Sequence, residues 1–335
     1  MRIGNVAPHR RAPFRVDTVL RIGGSEDSPA DEQFGAISSV ALDSSGRIVV
    51  VDVLSQNLRV YDRRGRFLAV VGRTGEGPGE FRLPTKVSVA PDGGVLVFDQ
   101  SLNRTTEFSS RLAFVRSIRM SVPITVSGFV ATHTLLIFSG RTRAGGPAAR
   151  SSIHVFDRGM GRYLYSFGQV PPSSVPAFVG VAEVGRITRA PDGSIWYASP
   201  APYRIEKYTT RGQLLLRIER ANRFLPPVDS SVRVARSGRR LTITSDPHPR
   251  AVLVRELLEG GLVHQVLRPD GNVVTDWYSP VDTRADPDGP TLLHSWIAET
   301  PILSEQLAPG LFVVQLGGRN TPYGVGVIRL SPRSP

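Results

Sequence analysis

The chain has 335 residues and a formal net charge of +12, and 40% of its residues are apolar, so it can bury a sizeable core in one large β domain or two ordinary domains. It contains no cysteine, which excludes disulfides, thiol catalysis and cysteine-based zinc sites. No apolar run approaches the roughly 18–20 residues of a membrane span. The 33 glycines and 27 prolines indicate many turns between short strands.

The N-terminal segment, residues 1–11, is charged, and no apolar region follows it. As written it is therefore not a secretory signal. The chain also lacks a cysteine that could carry a lipid anchor. The sequence on its own assigns no cellular compartment.

A fixed repeat dominates the first part of the chain. The segment that ends at Asp52 recurs without a gap in the segment that ends at Asp99, at an offset of 47 residues. Each copy contains an Asp-to-Gly turn followed by an apolar strand, and the linker Gly72–Phe81 joins the two copies. A period of this size indicates a repeat architecture in which each unit is one small sheet.

Each unit is predicted to contain four strands, labelled a to d. In the first unit these are Ser39–Leu42, Arg47–Val53, Leu58–Asp62 and Arg66–Val71. Strand b is apolar throughout its middle, as expected for a strand buried on both faces. The aromatic residue that closes strand c recurs at spacings of 47, 48 and 52 residues, in the positions Tyr61, Phe108, Phe156 and Tyr208.

The pattern is looser after Tyr208. Ser231–Ala235 and Arg240–Ser245 are predicted as strands a and b of a fifth unit, and residues 280–300 as an irregular acidic connection. Three segments compete for strands c and d of that unit: Ala251–Leu257, Leu262–Arg268 and Asn272–Tyr278. A last set contains three strands instead of four: Ile302–Gln306, Leu311–Leu316 and Tyr323–Leu330.

The missing strand is predicted near the other end of the chain. Asp17–Gly23 matches the outer strand of a unit but precedes the first strand a. Placed against Tyr323–Leu330, it would complete the last unit and leave no open sheet edge. We therefore predict an all-β, six-bladed β-propeller with four-stranded antiparallel blades, the last closed by the N-terminal strand, with seven blades as the alternative. Residues 1–14 would form a flexible tail, and residues 15–331 a single domain.

The linker Gly75–Phe81 before Pro84, the Pro-Asp-Gly turns and the strands that end in Asp resemble the six-bladed β-propellers of the NHL-repeat class. The resemblance implies a bacterial protein with structural roles for these motifs. Phe81 would fill the space between adjacent blades. Asp52 and Asp99 would bind backbone amides of the turns that follow them.

The sequence shows no catalytic constellation. No two of the six histidines are closer than 16 residues, and no Gly-x-Ser-x-Gly elbow or phosphate loop occurs. The densest acidic cluster is Glu26-Asp27 and Asp31-Glu32, which is typical of a solvated loop. We predict no cofactor. Propeller lactonases hold a Ca²⁺ ion near the axis with hard oxygen ligands, so Ca²⁺ is the ion to consider, but no set of residues in this sequence matches their ligands.

Charge is unevenly distributed in the last third of the chain. Residues 201–255 hold 12 basic and 4 acidic groups, whereas residues 256–305 hold 2 basic and 9 acidic groups. The chain has 41 basic residues, all arginines except Lys86 and Lys207, a bias typical of a GC-rich genome. Candidate binding residues are two charged residues of the linker and one arginine cluster: Arg73, Glu76, Arg233, Arg236, Arg239 and Arg240.

We predict from these features a non-enzymatic propeller that binds a protein or glycan partner on a loop-bearing face or in its axial channel. One alternative is a metal-dependent hydrolase or lyase with its site at the axis. The other is an RNA-binding propeller of the NHL type, which the arginine cluster would serve. Carboxylates or histidines that converge on the axis would favour the enzyme.

Overall fold

The computed structural model describes residues 2–3, 8–9, 12–143, 145–169, 185–200, 203–220, 232–237, 240–245, 250–268, 270–280, 290–298, 301–318 and 321–332. Across these ranges the protein is built from strands, with short 3-10 turns at Ala30–Glu32 and Gly146–Arg150. None of the described segments is a helix long and apolar enough to cross a membrane.

The strands are, in chain order, β1 (Arg2–Ile3), β2 (Phe14–Gly23), β3 (Ile37–Leu42), β4 (Ile48–Asp52), β5 (Asn57–Tyr61), β6 (Phe67–Val71), β7 (Pro84–Val89), β8 (Val95–Asp99), β9 (Arg104–Phe108), β10 (Phe114–Arg119), β11 (Ile124–Ala131), β12 (Leu135–Thr142), β13 (Ser151–Asp157), β14 (Tyr163–Gln169), β15 (Arg186–Arg189), β16 (Ile195–Pro200), β17 (Tyr203–Tyr208), β18 (Leu214–Arg220), β19 (Val232–Ser237), β20 (Arg240–Ser245), β21 (Arg250–Glu256), β22 (Leu262–Leu267), β23 (Val273–Tyr278), β24 (Leu292–Ala298), β25 (Ile302–Ala308), β26 (Leu311–Gly318) and β27 (Thr321–Pro332).

Of these 27 strands, 24 form six antiparallel four-stranded blades. From the inner to the outer strand, blades 1 to 6 are β3–β6, β7–β10, β11–β14, β15–β18, β21–β24, and β25, β26, β27 and β2. The inner strands contact one another in turn around the axis, and β25 contacts β3 to close the ring. The predicted six-bladed β-propeller is therefore confirmed, and the count is six rather than seven.

The core lies between the blades rather than within them. All five residues of β4 and all five of β8 are buried, which explains their apolar runs. Phe81 is fully buried between blades 1 and 2, against Val49 and Val97, as the sequence predicts. Gly72, with φ of +82°, permits this packing, because a Cβ there would lie 2.4 Å from the Phe81 ring.

The carboxylate that ends strand b ties two loops together in each of the first two blades. Asp52 accepts hydrogen bonds from the backbone N–H of Gly35 at 2.9 Å, of Ala36 at 3.0 Å and of Ser55 at 3.2 Å. Asp99 likewise accepts from the N–H groups of residues 82, 83 and 102. Burial raises the pKa of Asp52, but the bonds from Ala36, Gly35 and Ser55 outweigh it, and the net pKa lies below its ordinary value. The predicted turn-binding role of both residues is confirmed.

Blade 6 is closed by the N-terminal strand, as predicted. Strand β2 runs antiparallel to β27, with Asp17 opposite Arg329 and Gly23 opposite Gly324. Upstream of β2, Arg2–Ile3 pairs in parallel with the outer strand of blade 4, and His9 bridges to Trp296 in the outer strand of blade 5. The domain boundaries at residues 14 and 331 stay a prediction.

The assignment of the fifth blade from the sequence is wrong. Strands β19 and β20 form a two-stranded sheet of their own, whereas blade 5 consists of β21–β24. Leu292–Ala298 is the outer strand of that blade instead of an irregular connection. The physical reason is the turn before Asn272, whose carbonyl accepts a 2.8 Å bond from Arg268 N–H. It joins the second and third strands, whereas the similar turns of blades 1, 2 and 4 join the first and second.

Candidate functional site

A cavity of about 510 Å³ lies at the centre of the ring and is lined by the inner strands of all six blades. We call this cavity the axial channel. Its ionisable lining comprises four cationic and two acidic side chains: Lys86, Arg186, Arg189, Arg255, Asp43 and Glu305. The channel is therefore the place where charged side chains from blades far apart in sequence converge.

A recurrent bulge sets which residues lie at one level of this channel. Five inner strands carry it in the same place, for example between Pro84 and Lys86 in β7. We call the set of residues that directly follow the bulge, one in each blade, the ring level. In blade 4 the corresponding residue is Arg186, because it pairs with Ala198 in the second strand just as Lys86 pairs with Phe98 in blade 2. In blade order the ring level reads Ser39, Lys86, Gly128, Arg186, Leu253 and Glu305.

Lys86 lies partly buried on the wall of the channel. Its Nζ donates a hydrogen bond to the carbonyl oxygen of Ser38 at 3.3 Å. Among the residues that the structure describes, no carboxylate forms an ion pair with Lys86. Burial lowers the pKa of Lys86 well below its ordinary value, and the nearby charge of Arg186 lowers it further.

Arg186 repeats the contact of Lys86 two blades further on. Its Nη1 donates to the carbonyl oxygen of Ser127, the bulged residue of blade 3, just as Lys86 donates to the bulged residue of blade 1. Gly128 occupies the ring level between the two cations, and a Cβ there would lie 3.0 Å from the backbone N of Ile187. Glycine has no side chain, so none projects into the channel at the position between Lys86 and Arg186.

The two carboxylates of the channel are already bonded to arginines. Glu305 accepts a 2.8 Å bond from Arg255 across the boundary between blades 5 and 6. Burial raises the pKa of Glu305 by more than Arg255 lowers it. Asp43 accepts one hydrogen bond from the side chain of Arg47 and another from its backbone N–H. Neither carboxylate forms an ion pair with Lys86.

The binding residues predicted from the sequence lie elsewhere. Arg73 is 82% exposed and binds Glu80 at 2.9 Å, and Glu76 is 66% exposed and binds Arg82 at 3.2 Å. These are surface ion pairs within the linker between blades 1 and 2, outside the channel lining. Of the arginine cluster, the separate ribbon β19–β20 carries three members, Arg233, Arg236 and Arg240, whereas Arg239 lies outside the described residues. A binding role for all six stays a prediction.

The buried histidines do not line the channel. His154 lies in β13, where Nδ1 is 2.7 Å from Ser166 Oγ and Nε2 is 3.1 Å from the Gly140 carbonyl. His264 lies in the second strand of blade 5 rather than in a third strand, with Nδ1 2.6 Å from Tyr203 Oη. Burial lowers the pKa of each histidine to about 4.

A buried polar cluster surrounds His264 and joins blades 4 and 5. The carboxylate of Asp276 accepts hydrogen bonds from Tyr203 Oη and from Arg220 Nη1. All of these side chains are buried in the wall between the blades. Across the described ranges, no group of three or more His, Asp or Glu side chains is arranged to hold a metal ion. A calcium site stays a prediction.

Sequence reasoning missed Lys86, Arg186, Arg255 and Glu305. They come from four blades, and no local motif connects them. One signal was present: a lysine occurs in an inner strand of a chain that otherwise uses arginine almost throughout.

Comparisons with known proteins agree with the fold. A family model described as a 6-bladed beta-propeller matches residues 29–135, which span blades 1 and 2 and the start of blade 3. A comparison with the curated proteins finds no match. The family model and the blade topology together identify the protein as a six-bladed β-propeller.

Solved structures of different function share this architecture. A protein from Bacteroides fragilis NCTC 9343 has a TM-score of 0.64 at 11% identity, over 99% of this chain and 100% of that chain. The PQQ-bound aldose sugar dehydrogenase from Streptomyces coelicolor has a TM-score of 0.52 at 11% identity, over 97% and 100%. A streptogramin B lyase has a TM-score of 0.50 at 10% identity, over 95% and 98%. At these identities the likeness shows the fold alone, and the NHL-repeat assignment stays a prediction.

Proposed function

We propose that this β-propeller is a binding protein that holds the anionic group of a glycan or of a small organic acid in its axial channel. The observation that carries the proposal is Lys86. Its Nζ lies on the channel wall, bonded to the Ser38 carbonyl, with Arg186 nearby and no carboxylate partner among the described residues. An anion in the channel would supply the missing counter-charge.

The electrostatics of the channel support an anion over a cation. Burial lowers the pKa of Lys86, and repulsion by the charge of Arg186 lowers it further. A bound carboxylate or sulfate would relieve that repulsion and form charge-assisted hydrogen bonds, which are the strong ones in a partly desolvated site. The two carboxylates in the lining would not oppose it, because each is bonded to an arginine.

The size of the channel supports a small group. A volume of about 510 Å³ lies within the range of pockets that enclose small ligands. Serine residues 38, 39, 88 and 127 add hydroxyl groups to the lining, which suits a ligand with several oxygens.

Isothermal titration calorimetry tests the proposal with sulfate, citrate and glucuronate, and with glucose as the uncharged probe. We expect the three anions to bind and glucose not to bind. Lys86→Gln should weaken anion binding about tenfold, the loss expected for one hydrogen bond to a charged group. Arg73→Gln removes an exposed cation outside the channel and is the matched control. Equal affinities of Lys86→Gln and the unmodified protein would contradict the proposal.

The other functions predicted from the sequence stay open as predictions. These are a partner protein on a loop-bearing face, a metal-dependent hydrolase and RNA binding. No observation in the channel favours any of the three over an anionic ligand.

A further inference from the structure

One face of the propeller is formed by the turns that join the first strand to the second and the third strand to the fourth in each blade. Successive strands of a blade run antiparallel, so both kinds of turn lie at the same end of it. Arg47, directly after such a turn of blade 1, donates from Nη2 to the Ser110 carbonyl in a turn of blade 2. Arg158 in a turn of blade 3 binds Asp92 in a turn of blade 2 at 2.7 Å. We call this surface the turn face.

Most carboxylates of the turn face are neutralised by cations of the protein itself. The ion-paired carboxylates of the described turns are Asp43, Asp62, Asp92 and Asp192. In the same turns, Asp157 and Glu259 have no ion pair. Each accepts a hydrogen bond from a neutral group, at 2.7 Å from Met160 N–H and at 2.8 Å from Gln306 Nε2.

Five arginines of the turn face are exposed and have no such partner. They lie in the turns between the third and fourth strands of blades 1 to 4, and they are Arg63, Arg64, Arg111, Arg162 and Arg211. Within the described ranges, none of their guanidinium groups forms a hydrogen bond or an ion pair. The turns of this face therefore carry more cations than they neutralise.

Three of these arginines occupy one corresponding position. Each directly precedes the residue of its turn that has positive φ, at +81° for Gly65, +64° for Leu112 and +89° for Gly212. In blade 3, Met160 holds this position, directly before Gly161. In blade order the position reads Arg64, Arg111, Met160 and Arg211. Corresponding positions of blades around one axis lie at the same height, so these side chains start from one level at the rim of the turn face.

Two exposed apolar side chains accompany the arginines. Met160 is 83% exposed, and Leu258, in the turn between β21 and β22 of blade 5, is 62% exposed. A flat lipid surface accommodates both types of side chain, because guanidinium groups bind the phosphates of anionic head groups and apolar tips enter the boundary of the acyl chains. A nucleic acid would pair with the arginines but would give the apolar tips no apolar environment.

We propose that the turn face docks reversibly on an anionic lipid surface. The arginines of blades 1 to 4 contact the head-group phosphates, and Met160 and Leu258 contact the acyl boundary. None of these side chains lines the axial channel, so the docking surface is separate from the proposed anion site.

Vesicle flotation tests this inference on the intact protein, with phosphatidylcholine alone and with an equimolar mixture of phosphatidylcholine and phosphatidylglycerol. We expect binding to the mixture and not to phosphatidylcholine alone. An arginine near an anionic surface should raise the partition coefficient about fivefold. The triple variant Arg64→Gln/Arg111→Gln/Arg211→Gln should therefore bind the mixture about a hundredfold more weakly than the unmodified protein.

The matched control removes the same charge from the opposite face. Arg73, Arg82 and Arg143 are exposed and lie in connections from a fourth strand to a first or from a second strand to a third. Their triple replacement by Gln should leave binding nearly unchanged, because salt screens charges that lie far from the lipid surface. Thermal unfolding verifies that both triple variants fold.

Met160→Ser tests the apolar part of the contact. It should weaken binding by up to about tenfold, the effect of burying a methionine side chain, and it should do so at low and at high salt. The contribution of the arginines should instead fall as salt rises.

Three results would overturn the inference. Equal binding to the two kinds of vesicle, or equal losses in the two triple variants, would remove the role of the turn arginines. Binding of single-stranded RNA that the turn variant weakens, together with vesicle binding that Met160→Ser leaves unchanged, would assign the face to nucleic acid instead.

Discussion

Asp17 in strand β2 lies directly opposite Arg329 in strand β27, so the chain closes its ring by pairing its first long strand with its last. The pairing buries Ile22, which is 1% exposed, in the core between blades 6 and 1. The same core includes Val325 and Val327 of β27 and Ile48 and Val50 of blade 1.

Deleting residues 1–23 removes β2 and should strongly destabilise the propeller. The deletion leaves β27 as an open edge and opens the core around Ile22. We expect the free energy of unfolding to fall by more than about 5 kcal/mol, which is comparable with the total stability of many domains. Thermal unfolding followed by circular dichroism measures this loss. Deletion of residues 1–11 leaves β2 intact and should cost far less; equal losses from the two deletions would contradict the role of β2.

Asp52→Asn should destabilise the protein by about 2–3 kcal/mol, the range for losing hydrogen bonds to a charged acceptor. The amide group presents one oxygen and one NH₂ to a site in which the surrounding groups are donors, including the N–H of Gly35 and of Ala36. Urea unfolding at pH 7 measures the change. Asp62→Asn, at an exposed turn with similar amide bonds, is the matched control and should cost less.

The effect of Asp52→Asn on stability should depend on pH in the acidic range. Because the folded pKa of Asp52 is lower than its ordinary value, its contribution to stability is present above the ordinary pKa and is lost as pH falls through the folded pKa. The difference in stability between the native protein and Asp52→Asn should therefore shrink below about pH 4. A difference that stays constant down to pH 2 would show that Asp52 acts by packing alone.

Because of His154 and His264, the free energy of unfolding should decrease as the pH is lowered from 7 to 5. Burial lowers the pKa of each to about 4, so below about pH 6.5 the unfolded chain takes up protons that the folded protein does not. Each histidine should cost roughly 2 kcal/mol by pH 5. In His154→Gln, the free energies of unfolding measured in urea at the two pH values should differ by about 2 kcal/mol less than in the unmodified protein. His133→Gln, at an exposed position, is the control for the loss of one imidazole.

Sulfate should bind the channel more tightly as pH falls from 10 to 7. The pKa of Lys86 is well below its ordinary value of 10.5, and the anion selects the ammonium form, so binding takes up a proton. Sulfate keeps its charge over this range, and the change therefore reports on the protein. Calorimetry in two buffers of different ionisation enthalpy measures the proton uptake. Lys86→Arg should bind sulfate without that pH dependence; an unchanged dependence would assign it to another group.

The sequence predicts the fold well where neighbouring units repeat. The 47-residue offset between Asp52 and Asp99 identifies the same buried position in two blades, and both carboxylates bind turn amides. Prediction fails in blade 5, because short alternating strands such as Val232–Ser237 look alike whether they belong to a blade or to a separate ribbon. Only pairing between distant segments distinguishes the two.

The channel site could not be predicted for a related reason. Lys86 faces the axis because a one-residue bulge after Pro84 shifts the register of β7. Arg186 lies at the same ring level as Lys86 only because the six blades close into a ring, which brings residues of blades 2 and 4 to one level. A repeat shows what the blades share, whereas this site is built from the residues in which they differ.

The strand pairing that closes blade 6 also determines when the ring can form during synthesis. During synthesis β2 emerges about 300 residues before its partner β27. At the usual rates of translation the early strand would wait roughly 15–60 s without a partner. Strand β2 contains the charged residues Arg15, Asp17 and Arg21. These charges discourage premature pairing of the unpaired strand with other chains. Completion of the ring is thus a late, long-range event, and it should limit the rate at which the newborn protein reaches its final form.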